Sequence, residues 1–208
     1  MAAIKADEFF NQPSLDTFKG LKKSAERAKV LKPVQEAAMK YLQTGKLPRS
    51  GSEEWPLPDT GLPGSEEYRY SRPSFTDVLI DIALSEKNID EALRLYDGGR
   101  HGNGQGGNYG SMWGEDMHSM IADAIKTKYP DRAMEIWKRL SLHHIGFANP
   151  KAYTQAGHYL RKIQKMLVAQ KKDAEWKRYL TGLRDEHKRK VRLLEVLDSI
   201  AGKTIVEG

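Results

Sequence analysis

The sequence predicts an all-α protein, an array of antiparallel helix pairs of the α-solenoid kind. Three observations predict it. Apolar residues recur at spacings of three and four along most of the chain. Helix-start residues, Ser14, Asn88 and Asn149-Pro150, stand just ahead of those stretches. A short outline also repeats: Asp90-Glu91-Ala92-Leu93-Arg94-Leu95-Tyr96 lines up with Asp131-Arg132-Ala133-Met134-Glu135-Ile136-Trp137 and with Asp173-Ala174-Glu175-Trp176-Lys177-Arg178-Tyr179. Each copy opens on Asp, with a large apolar residue three on and an aromatic six on. Gln35, Ala38 and Tyr41 form a looser first copy. A period of about 40 residues with two helices per unit is the mark of a helical repeat.

The elements follow in order. Ser14 caps a helix whose face is Leu15, Phe18, Leu21, Ala25 and Ala28. Pro33 sits in the first turn of the next, with Val34, Ala37, Ala38, Tyr41 and Leu42 on one face and Gly45 as its stop. Prolines and glycines then punctuate 45–73 too densely for helix. Trp55, Leu57, Leu62, Tyr68 and Tyr70 make that segment apolar, so it reads as a packed loop anchored by Trp55. Ser74 starts a helix with Phe75, Val78, Leu79, Ile82 and Ala83 inward, and Asn88 starts a short one through Tyr96. Residues 98–110 hold seven glycines and read as a mobile loop. Helix resumes near Met112 to about Lys128, and again from Pro130-Asp131 through Leu142. After Asn149-Pro150 the pattern is clearest, with Tyr153, Ala156, Leu160, Ile163 and Leu167 in one stripe. Asp173 opens the helix of Trp176, Leu180 and Leu183; Val191, Leu194, Leu197 and Ala201 line the last. The whole of 1–208 reads as a single helical-repeat domain.

The pairing around Ile82-Ala83-Leu84 and Asp90 to Tyr96 is similar to tetratricopeptide repeats, which place Ala and an aromatic on the second helix. The unit here is longer and lacks their Leu-Gly dipeptide. A wider resemblance, from about Phe9 to Leu197, is to the helical C-terminal region of bacterial and archaeal SWIM zinc-finger proteins. It is carried by Trp55-Pro56-Leu57-Pro58-Asp59-Thr60-Gly61-Leu62-Pro63, by Tyr129 to Trp137, by Asn149-Pro150-Lys151-Ala152-Tyr153 and by Glu175 to Leu180 on to Lys190. The resemblance implies a helical interaction module. The family's finger uses a Cys-x-Cys and Cys-x-His ligand set, and this sequence has no cysteine, so zinc ligation carries over to no residue.

Composition narrows the function. With 39% hydrophobic and 30% charged residues the chain can bury a core. The absence of cysteine removes disulfides, thiol nucleophiles and thiolate metal sites from this sequence. No run reaches the roughly 18 apolar residues of a membrane span. Lys5, Asp7 and Glu8 interrupt any signal-like start, and the cytoplasm is the expected compartment.

Candidate chemistry is sparse. Gly102 to Gly107 follows a helix where a dinucleotide fingerprint follows a strand, and no Gly-Lys-Ser/Thr is present. The histidines lack the i, i+4 pair with an intervening Glu of helical zinc proteases; adjacent His143 and His144 point about 100° apart. No Gly-x-Ser-x-Gly occurs, and Glu115 and Asp116 near His118 read as acids favoured at a helix start. No catalytic residue, metal or cofactor is therefore expected. Charge is more informative. The net is +6, but Lys151 to Arg192 carries 13 basic and four acidic residues. Arg161, Lys162, Lys165, Lys171, Lys172, Lys177, Arg178, Lys188, Arg189 and Lys190 are the candidates for an anion- or nucleic-acid-binding face, with His158, Arg161, Lys162 and Lys165 expected on one side of their helix. The leading expectation is a non-enzymatic protein-interaction scaffold with a protein partner. The alternative is a helical protein that binds nucleic acid through the basic face.

Overall fold

The computed structural model describes residues 1–49, 52, 55–60, 75–100 and 114–201. Ten helices run through them: α1 (Ala2–Asn11), α2 (Leu15–Arg27), α3 (Leu31–Thr44), α4 (Thr76–Ser85), α5 (Ile89–Arg100), α6 (Glu115–Ile125), α7 (Pro130–Gly146), α8 (Pro150–Ala169), α9 (Asp173–Glu186) and α10 (Val191–Ala201). Among the described residues there is no strand, only an isolated bridge between Ser52 and Trp55. The all-α expectation holds. Contacts divide the chain into two compact units, Met1–Gly104 and Gln105–Gly208.

In the first unit α1 packs on α2, α2 on α3, and α4 on α2, α3 and α5. The Ser14 cap forms as expected: its hydroxyl accepts from the Thr17 amide while the Thr17 hydroxyl accepts from the Ser14 amide. Val34, Ala37, Ala38, Tyr41 and Leu42 are the buried residues of α3, and Gly45 ends it at φ 69°, where a Cβ would be strained. Aromatic rings fill this core. Phe10 lies 4.9 Å from Tyr41 and 5.3 Å from Trp55, and Tyr41 lies 5.2 Å from Phe75. Trp55 and Leu57 are both buried. The rest of the proline-rich segment, 61–74, lies outside the described residues, as does Ser74.

In the second unit α6 packs on α7, α7 on α8, and α8, α9 and α10 on one another. Asn149 caps α8 by accepting from the Ala152 amide, with Pro150 in the first turn. Tyr153, Ala156, Leu160, Ile163 and Leu167 are all buried, as the sequence predicts. Gly157 lets α10 approach α8: a Cβ there would stand 2.7 Å from Val196 Cγ1.

Three helix hairpins share one turn. Between α2 and α3, α4 and α5, and α8 and α9, a lysine takes the left-handed conformation: Lys29, Lys87 and Lys171, each at φ 58°. In each, the next amide reaches back five residues: Val30 to the Ala25 carbonyl at 2.9 Å, Asn88 to Ala83 at 2.8 Å, Lys172 to Leu167 at 2.8 Å. This is a Schellman close of the first helix, with lysine in the place glycine usually fills.

Several sequence expectations are corrected. α1, for which the sequence carries no helix signal, has no side-chain cap and buries only Ala2, Ala6 and Phe9. α5 continues past Tyr96 to Arg100, so Gly98 and Gly99 are helical; the remaining glycine-rich residues, 101–110, lie outside the described residues, as does Met112. α7 runs beyond Leu142 to Gly146 because His144 and Ile145 are also buried. α10 buries Leu193, Leu197 and Ile200 while Val191 is exposed. Of the aromatics that close the repeated outline, Tyr96 and Trp137 are buried and Tyr179 is half-buried.

Candidate interaction surfaces

The basic residues of 151–192 separate by what their neighbours do to them. Arg161, Lys165, Lys171, Lys172, Lys177, Arg178, Lys188 and Arg189 are exposed. They occupy the outer stripe of α8, the α8–α9 turn, α9 and the α9–α10 turn. Arg161 donates to the Ser199 hydroxyl at 3.2 Å. The other seven have no ion-pair partner among the described residues. Lys162 and Lys190 behave differently. Lys162 turns away from the stripe: its Nζ lies 2.6 Å from Asp123 Oδ2 of α6 and over the rings of Trp137 and Tyr159. The expectation that it shares a face with Arg161 and Lys165 is corrected here. Lys190 donates to the Ile145 carbonyl at 3.1 Å, satisfying an acceptor at the end of α7. Both are structural cations.

A second feature lies where the start of α6, the end of α7 and the first half of α8 meet. Glu115 Oε1 accepts two hydrogen bonds, from His144 Nε2 of α7 at 2.8 Å and from the Tyr159 hydroxyl of α8 at 2.8 Å. His144 and Tyr159 are buried and stack at 5.8 Å with an 18° interplanar angle. Glu115 keeps 41% of its side chain exposed. Desolvation pushes its carboxyl up, yet the bonds from Tyr159 and His144 and the nearby imidazoles outweigh that, and the net shift is down. Burial and the Glu115 carboxylate together push the Tyr159 phenol strongly up. The network is the wall of a groove that Asp116, Phe147, Asn149, Lys151, Gln155 and His158 also line. Phe147 is 57% exposed, its ring edge-on to His143 at 4.7 Å.

In sequence Glu115 is a helix-start acid and His144 one of two adjacent histidines; nothing local joins them to Tyr159, because the partners lie 29 and 44 residues from Glu115. Among the described residues no cluster of three or more His, Asp or Glu could hold a metal, and no helix is long and apolar enough to cross a membrane.

The fold defines an all-α protein of short packed helices. Compared with protein-family models, with curated proteins and with solved structures, the chain matches none.

Proposed function

We propose that the chain is a non-enzymatic protein-interaction module of tetratricopeptide-like helix pairs, akin to the helical region of SWIM zinc-finger proteins and working in the cytoplasm. The groove of the second unit carries this reading. It presents an exposed aromatic ring, Phe147, beside a carboxylate that two buried side chains hold in place. Fixed polar groups next to an exposed anchor are the features by which helical arrays hold partner segments. The shared lysine turns at Lys29, Lys87 and Lys171 support the repeat half of the proposal. The test is affinity capture with the tagged chain from an extract of its source cells after nuclease treatment. A stoichiometric partner that rebinds when both components are pure supports the module; no such partner in any fraction overturns it.

A second reading, nucleic-acid binding, is favoured by one observation: seven exposed cations, Lys165, Lys171, Lys172, Lys177, Arg178, Lys188 and Arg189, lack ion pairs among the described residues. Clustered cations displace condensed counterions from phosphates, so affinity for oligonucleotides should drop steeply, roughly 10³-fold for six contacts, between about 50 and 200 mM salt. Anisotropy titrations measure this. The informative variant is Lys165→Glu with Lys177→Glu and Arg178→Glu, since Lys162 is engaged by Asp123 and Lys190 by the Ile145 carbonyl. Absence of binding at the lower salt removes the reading.

A further inference from the structure

We infer that the second half of α8, with the turn into α9, is a seat for the phosphate backbone of duplex nucleic acid, bound without regard to base sequence. The inference rests on the nucleic-acid reading above and names the form of the polymer.

Charge comes first. α8 holds no acidic residue in its 20 positions, Pro150–Ala169. The turn that follows adds Gln170, Lys171 and Lys172, again with no acid. The first half of α8 borders the Glu115 groove, where Lys151 and His158 stand with Glu115 and Asp116. Around the second half the acids are engaged by other cations. Asp123 of α6 is held by Lys162, and on α10 Glu195 is held by Arg192 and Asp198 by Arg184. Lys165, Lys171 and Lys172 are exposed and make no ion pair among the described residues. Arg161, one turn before Lys165, spends one donor on the Ser199 hydroxyl, and a guanidinium has several more. Phosphate oxygens accept hydrogen bonds and carry negative charge, so an acid-free patch of cationic donors is their complement. α9 differs: its Lys177 and Arg178 are interleaved with Asp173, Glu175, Asp185 and Glu186.

The aromatic side chains decide the form of the polymer. Single strands are held largely by bases stacked on exposed rings. The aromatic residues of α8 and α9 are Tyr153, Tyr159, Trp176 and Tyr179. The first three are buried, with Tyr159 stacked on His144. Tyr179 is half-buried, and the ammonium of Lys138 lies over its ring at 5.0 Å. The patch therefore offers charge without a stacking platform. Charge favours the duplex, which carries one phosphate per about 1.7 Å of axis against about 3.4 Å for one strand. The amides beside the patch are turned away from any base edge: Gln164 donates to the Ile200 carbonyl at 3.0 Å, and the Gln170 side-chain oxygen is buried.

The full chain is titrated, by fluorescence anisotropy, against a short DNA duplex, a duplex of shuffled sequence, one strand alone and a poly-glutamate peptide. At about 50 mM salt the two duplexes should bind alike, and about tenfold or more tighter than the strand or the peptide. Their affinity should fall about 10²-fold by about 200 mM salt, the drop for four phosphate contacts. Lys165→Gln with Lys171→Gln and Lys172→Gln should weaken duplex binding about tenfold or more, and Lys177→Gln with Arg178→Gln less than about threefold. Circular dichroism should be unchanged in both variants, since every substituted side chain is exposed. A strand bound as tightly as the duplexes, a preference between the two duplex sequences, or a greater loss from the α9 variant overturns the seat and leaves the nucleic-acid reading standing. Poly-glutamate bound as tightly as any DNA, or no DNA bound at the lower salt, overturns both.

Discussion

The ammonium of Lys162 lies 2.6 Å from the Asp123 carboxylate and 5.6 Å from the centre of the Trp137 ring, tying α8 to α6 and α7. Lys165, three residues on, is exposed with no ion pair among the described residues. The two lysines should therefore respond differently to charge reversal. Lys162→Glu places two carboxylates together and loses the ring contact, and should cost about 1–2 kcal/mol. Lys165→Glu should stay within about 0.5 kcal/mol of the parent. Urea titrations followed by circular dichroism measure both, and equal midpoints for the two variants would refute the distinction.

Lys29, Lys87 and Lys171 each hold a conformation that a Cβ disfavours. Glycine adopts it freely, at the cost of a more flexible unfolded chain. Lys87→Gly and Lys171→Gly should each raise stability by up to about 1 kcal/mol. Lys126→Gly, at the end of α6 where φ is −53°, should lower it. Denaturation midpoints of the three variants, compared pairwise, decide the point.

Gly157 and Gly182 are both helical and should answer an alanine in opposite senses. A Cβ at 157 meets Val196 Cγ1 at 2.7 Å, so the α8–α10 contact must open, with an overpacking cost of about 1–3 kcal/mol. At Gly182 nothing lies within 4 Å, and alanine should gain up to about 1 kcal/mol from helix propensity alone. Thermal melts of Gly157→Ala and Gly182→Ala should shift down and up respectively; a shift of the same sign in both would contradict the packing.

Acid should weaken the second unit through Glu115. Its carboxyl is lower in the folded chain than in the unfolded one. The stability it contributes is present above the ordinary carboxylate value of about 4.3 and is lost as pH falls through the folded value. The difference in melting temperature between the parent and Glu115→Gln should shrink on acidification from about pH 6 to pH 3. A constant difference would mean Glu115 is not the group involved. Tyr159 works in the alkaline direction: its raised phenol should ionise after the exposed tyrosines in a titration followed at about 295 nm.

The sequence by itself determined where most helices are and which face of each is buried. The α3 and α8 stripes, the Ser14 and Asn149 caps and the Gly45 stop are local, each written within one or two turns of chain. Only the tertiary structure decided what the polar residues do. Lys162 and Lys165 look alike in sequence, yet Asp123 and Trp137 capture one of them from other helices. Glu115, His144 and Tyr159 form one network although they stand on three different helices. The same holds for Tyr179, which is half-buried while its neighbour Leu180 is buried, because burial depends on where the preceding turn sets the helix. Helix periodicity is a property of neighbours three and four residues apart. Hydrogen bonds and ion pairs between helices depend on how those helices pack, and packing angle and rotation are set by side chains far away in sequence.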